Sequence, residues 1–570
     1  MQRSEFILIV AVLITASCTT SVVGFLEQIA ARLPLPGTPS PPGSPWPLPR
    51  AWTRNLNVAT LSSKDNFQYI SNVNDCRELN VALGRYDYEI LTQKSGRVDA
   101  ASGFPILSKV YIHIPENARQ NLCGEFPKLN RSLAYESYKI VVGNSSEGVP
   151  IANISAETIW GALRGLETFS QLVWRDRDWS ANHYYINFTE INDSPRYPHR
   201  GLMLDTARHY LAPRVIKQVL DAMSYNKLNV FHWHIIDDQS FPFVSRTFPE
   251  LSDKGAYIPG VLIYDPPTVQ DIIEEARLRG IRVVFEFDTP GHTLVFKKSH
   301  PELLTPCYGD GVNPGTPDYP NHAAHEILDP TKENTYTFMK DLFTEVFHNV
   351  TKDEYLHLGM DEVYYACWKS SPEIKSFMEK NNYTEVNQVQ EHYTKRHLSM
   401  VQSLGAKAII WQDPLDYGVQ LDKDVIVQIW KSGTGETSWQ TYFQKALDAG
   451  YSTLLSSCWY LNYIAYGETW RQYYECDPEL SLPKPLPDWQ KELILGGEAA
   501  LWAEYVDATN VVSRLFPYLG AVAEKLWSTA NSSSTDDAMW RLDEQRCRML
   551  GRGINAQPIF NGYCFPGEIF

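Results

Sequence analysis

Short apolar runs recur eight times after Pro195, at residues 201–204, 230–233, 282–287, 355–359, 408–411, 425–430, 453–457 and 493–497. Helical patterns separate most of them. After the first run, Pro213 suits a first helical turn, and Ile216, Val219, Leu220 and Met223 share one face. Thr268 with Asp271 reads as another helix N-terminus and Gly280 as its stop. Eight strand–helix units over roughly 300 residues predict a (β/α)8 TIM barrel, whose chemistry sits at the C-terminal strand ends. An open doubly wound sheet is the alternative, but no GxGxxG loop opens any unit.

Ahead of this rhythm, alternating runs at 109–114 and 138–142 and a helical stretch at 157–174 predict a small α+β domain. Prolines at 34, 36, 39, 41, 42, 45, 47 and 49 predict an extended linker or pro-segment with no core of its own. At the N-terminus, Arg3, the apolar run 6–14 and small residues at Ala16, Ser17 and Ser21 read as a secretory signal, too short to cross a bilayer. The expected division is 1–23 signal peptide, 24–50 Pro-rich segment, 51–195 α+β domain and 196–570 barrel with a C-terminal extension. No later stretch resembles a membrane span, so the mature chain is expected to be soluble and lumenal or extracellular.

Charge narrows the partners. Lys+Arg of 51 against Asp+Glu of 67 gives −16, which argues against nucleic acid and against an anionic membrane surface. Sixteen tryptophans in an acidic chain hint at carbohydrate, since flat rings stack on sugars. Of nine cysteines, Cys18 lies in the signal; the remaining eight allow 105 connectivities, and no Cys-x-x-Cys pair suggests zinc. Sequons at Asn130, Asn144, Asn153, Asn187, Asn349, Asn382 and Asn531 agree with secretion, while the one at Asn192 lies just before a proline and is not expected to be used.

The strand ends offer Asp205 and Arg208; His232, His234, Asp237 and Asp238; Asp288 and His292; Asp361 and Glu362; Trp411; Trp430; Trp459, Tyr460 and Asn462; and Glu498, Trp502 and Glu504. Carboxylates in an aromatic pocket suit glycosidic bond cleavage. Asp361 and Glu362 are adjacent, so they project differently and cannot oppose each other across one bond. One is the natural acid. The other is free to orient a nucleophile that the substrate itself brings, such as a 2-acetamido carbonyl. Two acids capping a helix N-terminus is the bland alternative. His232 with His234, or His322 with His325, could in principle ligate a metal, but neither pair forms a recognised motif, and no metal or organic cofactor is expected.

The segments HRGLMLDTARHYL, NKLNVFHWHIIDDQSFPF, RLRGIRVVFEFDTPGHT, LHLGMDEV and GGEAALWAEYVD resemble glycoside hydrolase family 20, in particular its animal lysosomal β-N-acetylhexosaminidase subunits, from about Trp46 to the C-terminus. The resemblance implies a retaining, substrate-assisted exo-hydrolase of terminal GlcNAc or GalNAc on glycoconjugates or chitooligosaccharides. It implies Glu362 as general acid/base and Asp361 as the residue holding the acetamide. It places His292 and Asp237 behind the acid, Arg208 and Glu504 on sugar hydroxyls, Tyr460 on the acetamide oxygen, and Trp411, Trp430 and Trp502 as walls. It further implies bridges Cys76–Cys123, Cys307–Cys367 and Cys547–Cys564, leaving Cys458 and Cys476 as a fourth pair, a lysosomal or secreted location, and a homodimer in which Tyr466 reaches the partner's site.

Two departures stand out. Met360 replaces the family's second glycine before the acidic pair, a strain if the backbone there needs φ > 0. This motivates the alternative of a catalytically weakened secreted GlcNAc-binding protein. Asn462-Tyr463 matches neither the Asn-Arg of α-type subunits nor the Asp-Leu of β-type ones, and implies neutral rather than sulfated substrates.

Overall fold

The eight apolar runs close on themselves. In the computed structural model, which describes residues 35–62, 66–91, 103–175, 183–314, 327–530 and 532–564, two sheets form. The first contains β1 (Ala51–Leu61), β2 (Gln68–Ser71), β3 (Ile106–Leu107), β4 (Lys109–His113), β5 (Tyr138–Asn144), β6 (Pro150–Ala156), β7 (Val173–Arg175) and β8 (Tyr184–Asp193), in the order β2-β4-β6-β5-β8-β1-β3 with β7 on β8. The buried helix Ile159–Leu172 packs on it. Gly161 permits the approach: a Cβ there would stand 2.2 Å from the Ser137 carbonyl oxygen.

The second sheet is the barrel: β9 (His199–Asp205), β10 (Val230–His234), β11 (Arg282–Thr289), β12 (Tyr355–Gly359), β13 (Lys407–Trp411), β14 (Ile426–Ile429), β15 (Ser452–Leu455) and β16 (Ile494–Leu501). All pairings are parallel, and β16 closes on β9. Strands covered on both faces lose the polar alternation of a half-exposed sheet, which is why they read as continuous apolar runs. The two units meet through buried charge: Glu136 accepts from Arg164 Nε at 3.0 Å and from Arg200 NH2 at 2.7 Å, and Arg164 reaches the Gly280 carbonyl at 2.8 Å.

Three expectations need correction. The described part of the Pro-rich segment, 35–50, is no free linker. Several of its amides are anchored: Gly43 N–H to Glu544, Trp46 N–H to Gln171 and Leu48 N–H to Glu524, at 2.7, 2.7 and 2.8 Å. Trp46 is fully buried, and its indole donates to the Gly520 carbonyl at 3.1 Å. Burying such a ring stabilises by roughly 2–3 kcal/mol, enough to fasten a strap across both units.

The second correction concerns a cap: Asp265, not Thr268, caps the helix Pro266–Arg277, its carboxylate accepting the Thr268 N–H at 2.9 Å. The third concerns glycosylation. Asn187 is buried, with Nδ2 donating to the Asn55 carbonyl at 3.0 Å and Oδ1 accepting from Arg54 and Trp174, so a glycan has no room there. Asn130, Asn144, Asn349 and Asn382 are exposed and Asn153 is half-buried; Asn531 and the signal segment 1–23 lie outside the described residues. The four bridges are Cys76–Cys123, Cys307–Cys367, Cys458–Cys476 and Cys547–Cys564. Among the described residues, no helix is long and apolar enough to cross a membrane.

Candidate active site

The C-terminal strand ends converge on one imidazole. His292, in the loop after β11 at φ +55°, places Nε2 3.6 Å from Glu362 Oε2, 3.7 Å from Asp361 Oδ2 and 3.9 Å from Asp288 Oδ2. Its Nδ1 faces Asp237 Oδ1 at 3.3 Å. Asp237 also accepts from Arg208 NH2 at 2.8 Å and meets His234 Nε2 at 2.7 Å. Asp205, at the end of β9, fixes the start of this chain: its oxygens accept the backbone N–H groups of Ala207 and Arg208 and the Arg208 guanidinium at 3.1 Å.

Asp361 and Glu362 follow β12 and diverge. The Asp361 side chain is buried, whereas that of Glu362 is 56% exposed. Left-handed backbone makes the turn: Gly359, Met360 and Glu362 have φ of +69°, +76° and +47°. At Gly359 only glycine fits, since a Cβ would fall 1.6 Å from Asp288 Oδ1. Met360 bears the strain foreseen from the sequence; its side chain is fully buried, and its N–H donates to Asp288 Oδ1 at 3.1 Å. Gln390 Nε2 secures its carbonyl at 3.3 Å.

The charges are ordered by burial and by one another. Burial opposes charge on His292, but Asp237 and Asp288 outweigh it and hold the imidazole protonated well above its ordinary range. Burial likewise opposes the Asp237 anion, yet Arg208 and His292 hold that carboxyl well below the usual range. Asp361 goes the other way: burial pushes it up to about 7, with His292 opposing. Burial, then the Asp361 charge, raise Asp288 well above its ordinary value. Of this acidic pair Asp288 holds its proton to higher pH, so Asp361 is the first of the two to ionise, beside the His292 cation.

Aromatic rings wall the space beside these carboxyls. Trp430 and Tyr460 stack with centroids 6.4 Å apart, and Trp502 lies 6.1 Å from Trp411 and under the Arg208 guanidinium at 4.9 Å. Trp411 is buried deeper than the other walls, its indole donating to Glu286 at 2.8 Å. Glu504 is exposed and acts on Arg208 through its charge. Asn462 is half-buried, Tyr463 stacks on Tyr460 at 5.8 Å, and Tyr466 is fully exposed. Trp459, by contrast, is core, donating to the Tyr473 carbonyl at 3.0 Å.

Sequence reasoning missed Asp413, two residues beyond the end of β13. It accepts the Glu362 N–H at 3.3 Å and the Trp430 indole N–H at 2.8 Å, tying the exposed acid to the wall. Its position at a strand end was the available signal. Also missed was Glu286, a carboxylate in the middle of an apolar strand. The His232–His234 pair is taken up by carboxylates, Glu286, Glu498 and Asp237; His322 and His325 lie outside the described residues.

Chemically, this is one accessible carboxyl able to give up a proton, one buried carboxylate able to hold a polar group, and an aromatic slot between. Buried polar atoms here without a hydrogen-bond partner include Arg208 Nε, Asp288 Oδ2, His292 Nε2, Asp361 Oδ1 and Asn462 Oδ1. Leaving such atoms unmade costs about 1–3 kcal/mol each, a cost that a ligand's hydroxyls and amide can offset.

Comparison with known proteins identifies the family. Residues 197–530 match the model of the glycosyl hydrolase family 20 catalytic domain, and 45–172 match a beta-acetyl hexosaminidase-like domain. Beta-hexosaminidase subunit alpha of Rattus norvegicus is 45% identical over 442 residues, 78% of this chain and 79% of that protein. Subunit beta of Homo sapiens is 40% identical over 554 residues, 95% of this chain and 93% of that one. Among solved structures, Flavobacterium johnsoniae chitobiase superimposes with a TM-score of 0.74 at 27% identity, covering 90% of this chain and 73% of its own. Streptomyces plicatus N-acetyl-beta-hexosaminidase, at 22% identity and a TM-score of 0.68 over 92% of this chain and 98% of its own, shares the fold.

Proposed function

The chain belongs to glycosyl hydrolase family 20 and is an exo-acting β-N-acetylhexosaminidase that retains configuration; from that premise we propose how its own residues perform the reaction. Glu362 is the general acid. Its carboxyl is accessible to a glycosidic oxygen and is flanked by the His292 cation, which stabilises the carboxylate left after proton transfer. Asp361 accepts the acetamide N–H. As the C1–O bond to the leaving group breaks and Glu362 delivers its proton to that oxygen, the acetamide carbonyl oxygen bonds to C1. The positive charge of the resulting oxazolinium falls beside the Asp361 carboxyl and favours its ionised form. Water then adds to C1, Glu362 takes back a proton and the ring reopens.

Tyr460 donates to the acetamide oxygen, while Trp411, Trp430 and Trp502 enclose the methyl group and sugar face. Arg208, through its unpartnered Nε, and Glu504 take sugar hydroxyls. The divergence of Asp361 and Glu362 around His292 carries this reading. Opposed carboxylates for a protein nucleophile stand about 5–5.5 Å apart across the bond; adjacent residues turned apart instead leave the nucleophile to the substrate. Assay of a chromogenic β-GlcNAc substrate at acidic pH, with Asp361→Asn alongside, tests it. Lost turnover together with weakened inhibition by oxazoline-like compounds supports the role, and intact inhibition contradicts it.

Three finer readings belong to the same proposal. Tyr463 brings an uncharged ring where a cation would favour sulfated sugars, so neutral GlcNAc and GalNAc termini are the substrates. The fully exposed Tyr466 is a contact for a second copy in a homodimer. The location is a lysosomal or secretory compartment, as the N-terminal signal pattern and the sequons imply.

A further inference from the structure

Barrels of this kind fill their interior with branched apolar side chains. Here the interior below the candidate site holds His199, His232, His234, Glu286, His357 and Glu498, all buried. The contacts are continuous. His234 joins Asp237 through Nε2 at 2.7 Å and Glu286 through Nδ1 at 2.6 Å. His232 Nε2 lies 2.9 Å from the same Glu286 oxygen, outside hydrogen-bonding geometry, so that contact is electrostatic; its Nδ1 meets Glu498 at 2.5 Å. His199 Nε2 closes the line on Glu498 at 3.0 Å. Glu286 is the hub, since its other oxygen faces His357 Nδ1 at 3.0 Å and accepts the Trp411 indole N–H at 2.8 Å. Strand register builds it: Glu286 lies opposite His234 on β10 and His357 on β12. Glu498 lies opposite Gly201, where a Cβ would sit 2.4 Å from its Oε2.

Burial opposes the charges, and the partners outweigh it. Glu498 and Glu286 bring His232 up to about 9, Glu286 and Asp237 bring His234 up to about 10, and the imidazoles lower Glu286 and Glu498. Burial lowers His199 and His357, which stay neutral. Two imidazoliums thus balance two carboxylates, and a metal ion entering between the imidazoliums would be repelled. Apolar residues of similar volume often replace buried ion pairs at no loss of stability, so stability alone does not account for this set.

We propose that Glu286 is a positioning residue for the acid: by fixing His234 between itself and Asp237, it sets the charge that Asp237 and His292 present to Glu362. The proposal rests on Glu362 being the acid. The charged groups facing this line are Asp205 and Arg208 after β9, Asp237 and Asp238 after β10, Arg282, Asp288 and His292 on and after β11, Asp361 after β12 and Asp413 after β13. All of these remain in the variants below. Removing the Glu286 charge releases the proton of His234. Of the two, His234 stands nearer Glu362 along the line, so the positive field there falls and Glu362 holds its proton to higher pH.

The test is the pH profile of kcat/KM for Glu286→Gln. Its basic limb is expected to move up by about half a unit or more with KM little changed, and Glu286→Asp is expected to move it back toward wild type. Glu498→Gln, one link further away, is expected to move it less in the same direction and carries the test if Glu286→Gln does not fold. An unmoved limb with only a lowered Tm overturns the proposal. In the intact wild-type chain, 15N-histidine NMR between pH 5 and 8 is expected to find His232 and His234 as imidazoliums throughout, and neutral rings overturn it. Full activity in Glu362→Gln would instead remove the assignment of the acid and leave those spectra unchanged.

Discussion

Asp361 and Glu362 are consecutive, yet the side chain of the first is 7% exposed and that of the second 56%, with His292 Nε2 within 3.7 Å of both. One imidazolium thereby serves two carboxyls in different surroundings. The wet one can exchange a proton with a departing oxygen, and the dry one can hold a cationic intermediate in low dielectric.

Stability should fall from about pH 6.5 toward pH 9, above the range in which the neutral His199 and His357 add the opposite slope. Asp361 and Asp238, raised to about 7 and about 6, bind protons in the folded state that the unfolded chain has released, so their contribution is lost as pH climbs from about 4 to 7. His232 and His234, raised to about 9 and 10, contribute fully below about pH 6.5 and lose that contribution as pH rises through those values. The lowered Asp237, Glu286 and Glu498 act only at the acid end, where protonation removes their contribution. Thermal melts across this range check the sign; a Tm that rises from pH 6.5 to 9 would sink it.

Met360→Gly should destabilise rather than rescue. Relief of a left-handed methionine is worth about 1–2 kcal/mol. Loss of a fully buried Met side chain costs about 2–5 kcal/mol, and the added chain entropy of glycine about another 1 kcal/mol. The net expectation is a loss of roughly 1–5 kcal/mol in denaturant melts with turnover retained at low temperature. A gain in stability would mean that the strain dominates.

The eight strands were legible because burial on both faces leaves continuous apolar runs, and the acids at their ends followed from where such barrels work. The strap at 35–50 was not: composition announces extended backbone, but the burial of Trp46 depends on Gln171 and Gly520, far away in sequence. Glu286 was hidden for a related reason. A single carboxylate within RVVFEFDT acquires meaning only once β10 and β12 bring histidines to either side.

Opening the Cys458–Cys476 bridge should act on both stability and binding. It closes the loop carrying Tyr460, Asn462, Tyr463 and Tyr466. A loop of this length predicts a loss of about 3 kcal/mol for the double serine variant. Because Tyr460 and Asn462 move with the loop, KM should rise more than kcat falls. An unchanged KM would detach the loop from substrate.

Sulfated aryl GlcNAc should be a poorer substrate than the plain sugar, because the Tyr463 ring stacked on Tyr460 supplies no cation to a sulfate. Comparing kcat/KM for the two decides it, and preference for the sulfated substrate would be the contrary result. Tyr463→Arg should narrow the gap.

The central claim is tested most directly by turnover of Glu362→Gln on an unactivated chitooligosaccharide, with binding measured in parallel. Removing a positioned general acid should lower kcat by about 10²–10⁴-fold while affinity for the oligosaccharide stays within a few-fold. Turnover within twofold of wild type would contradict the account.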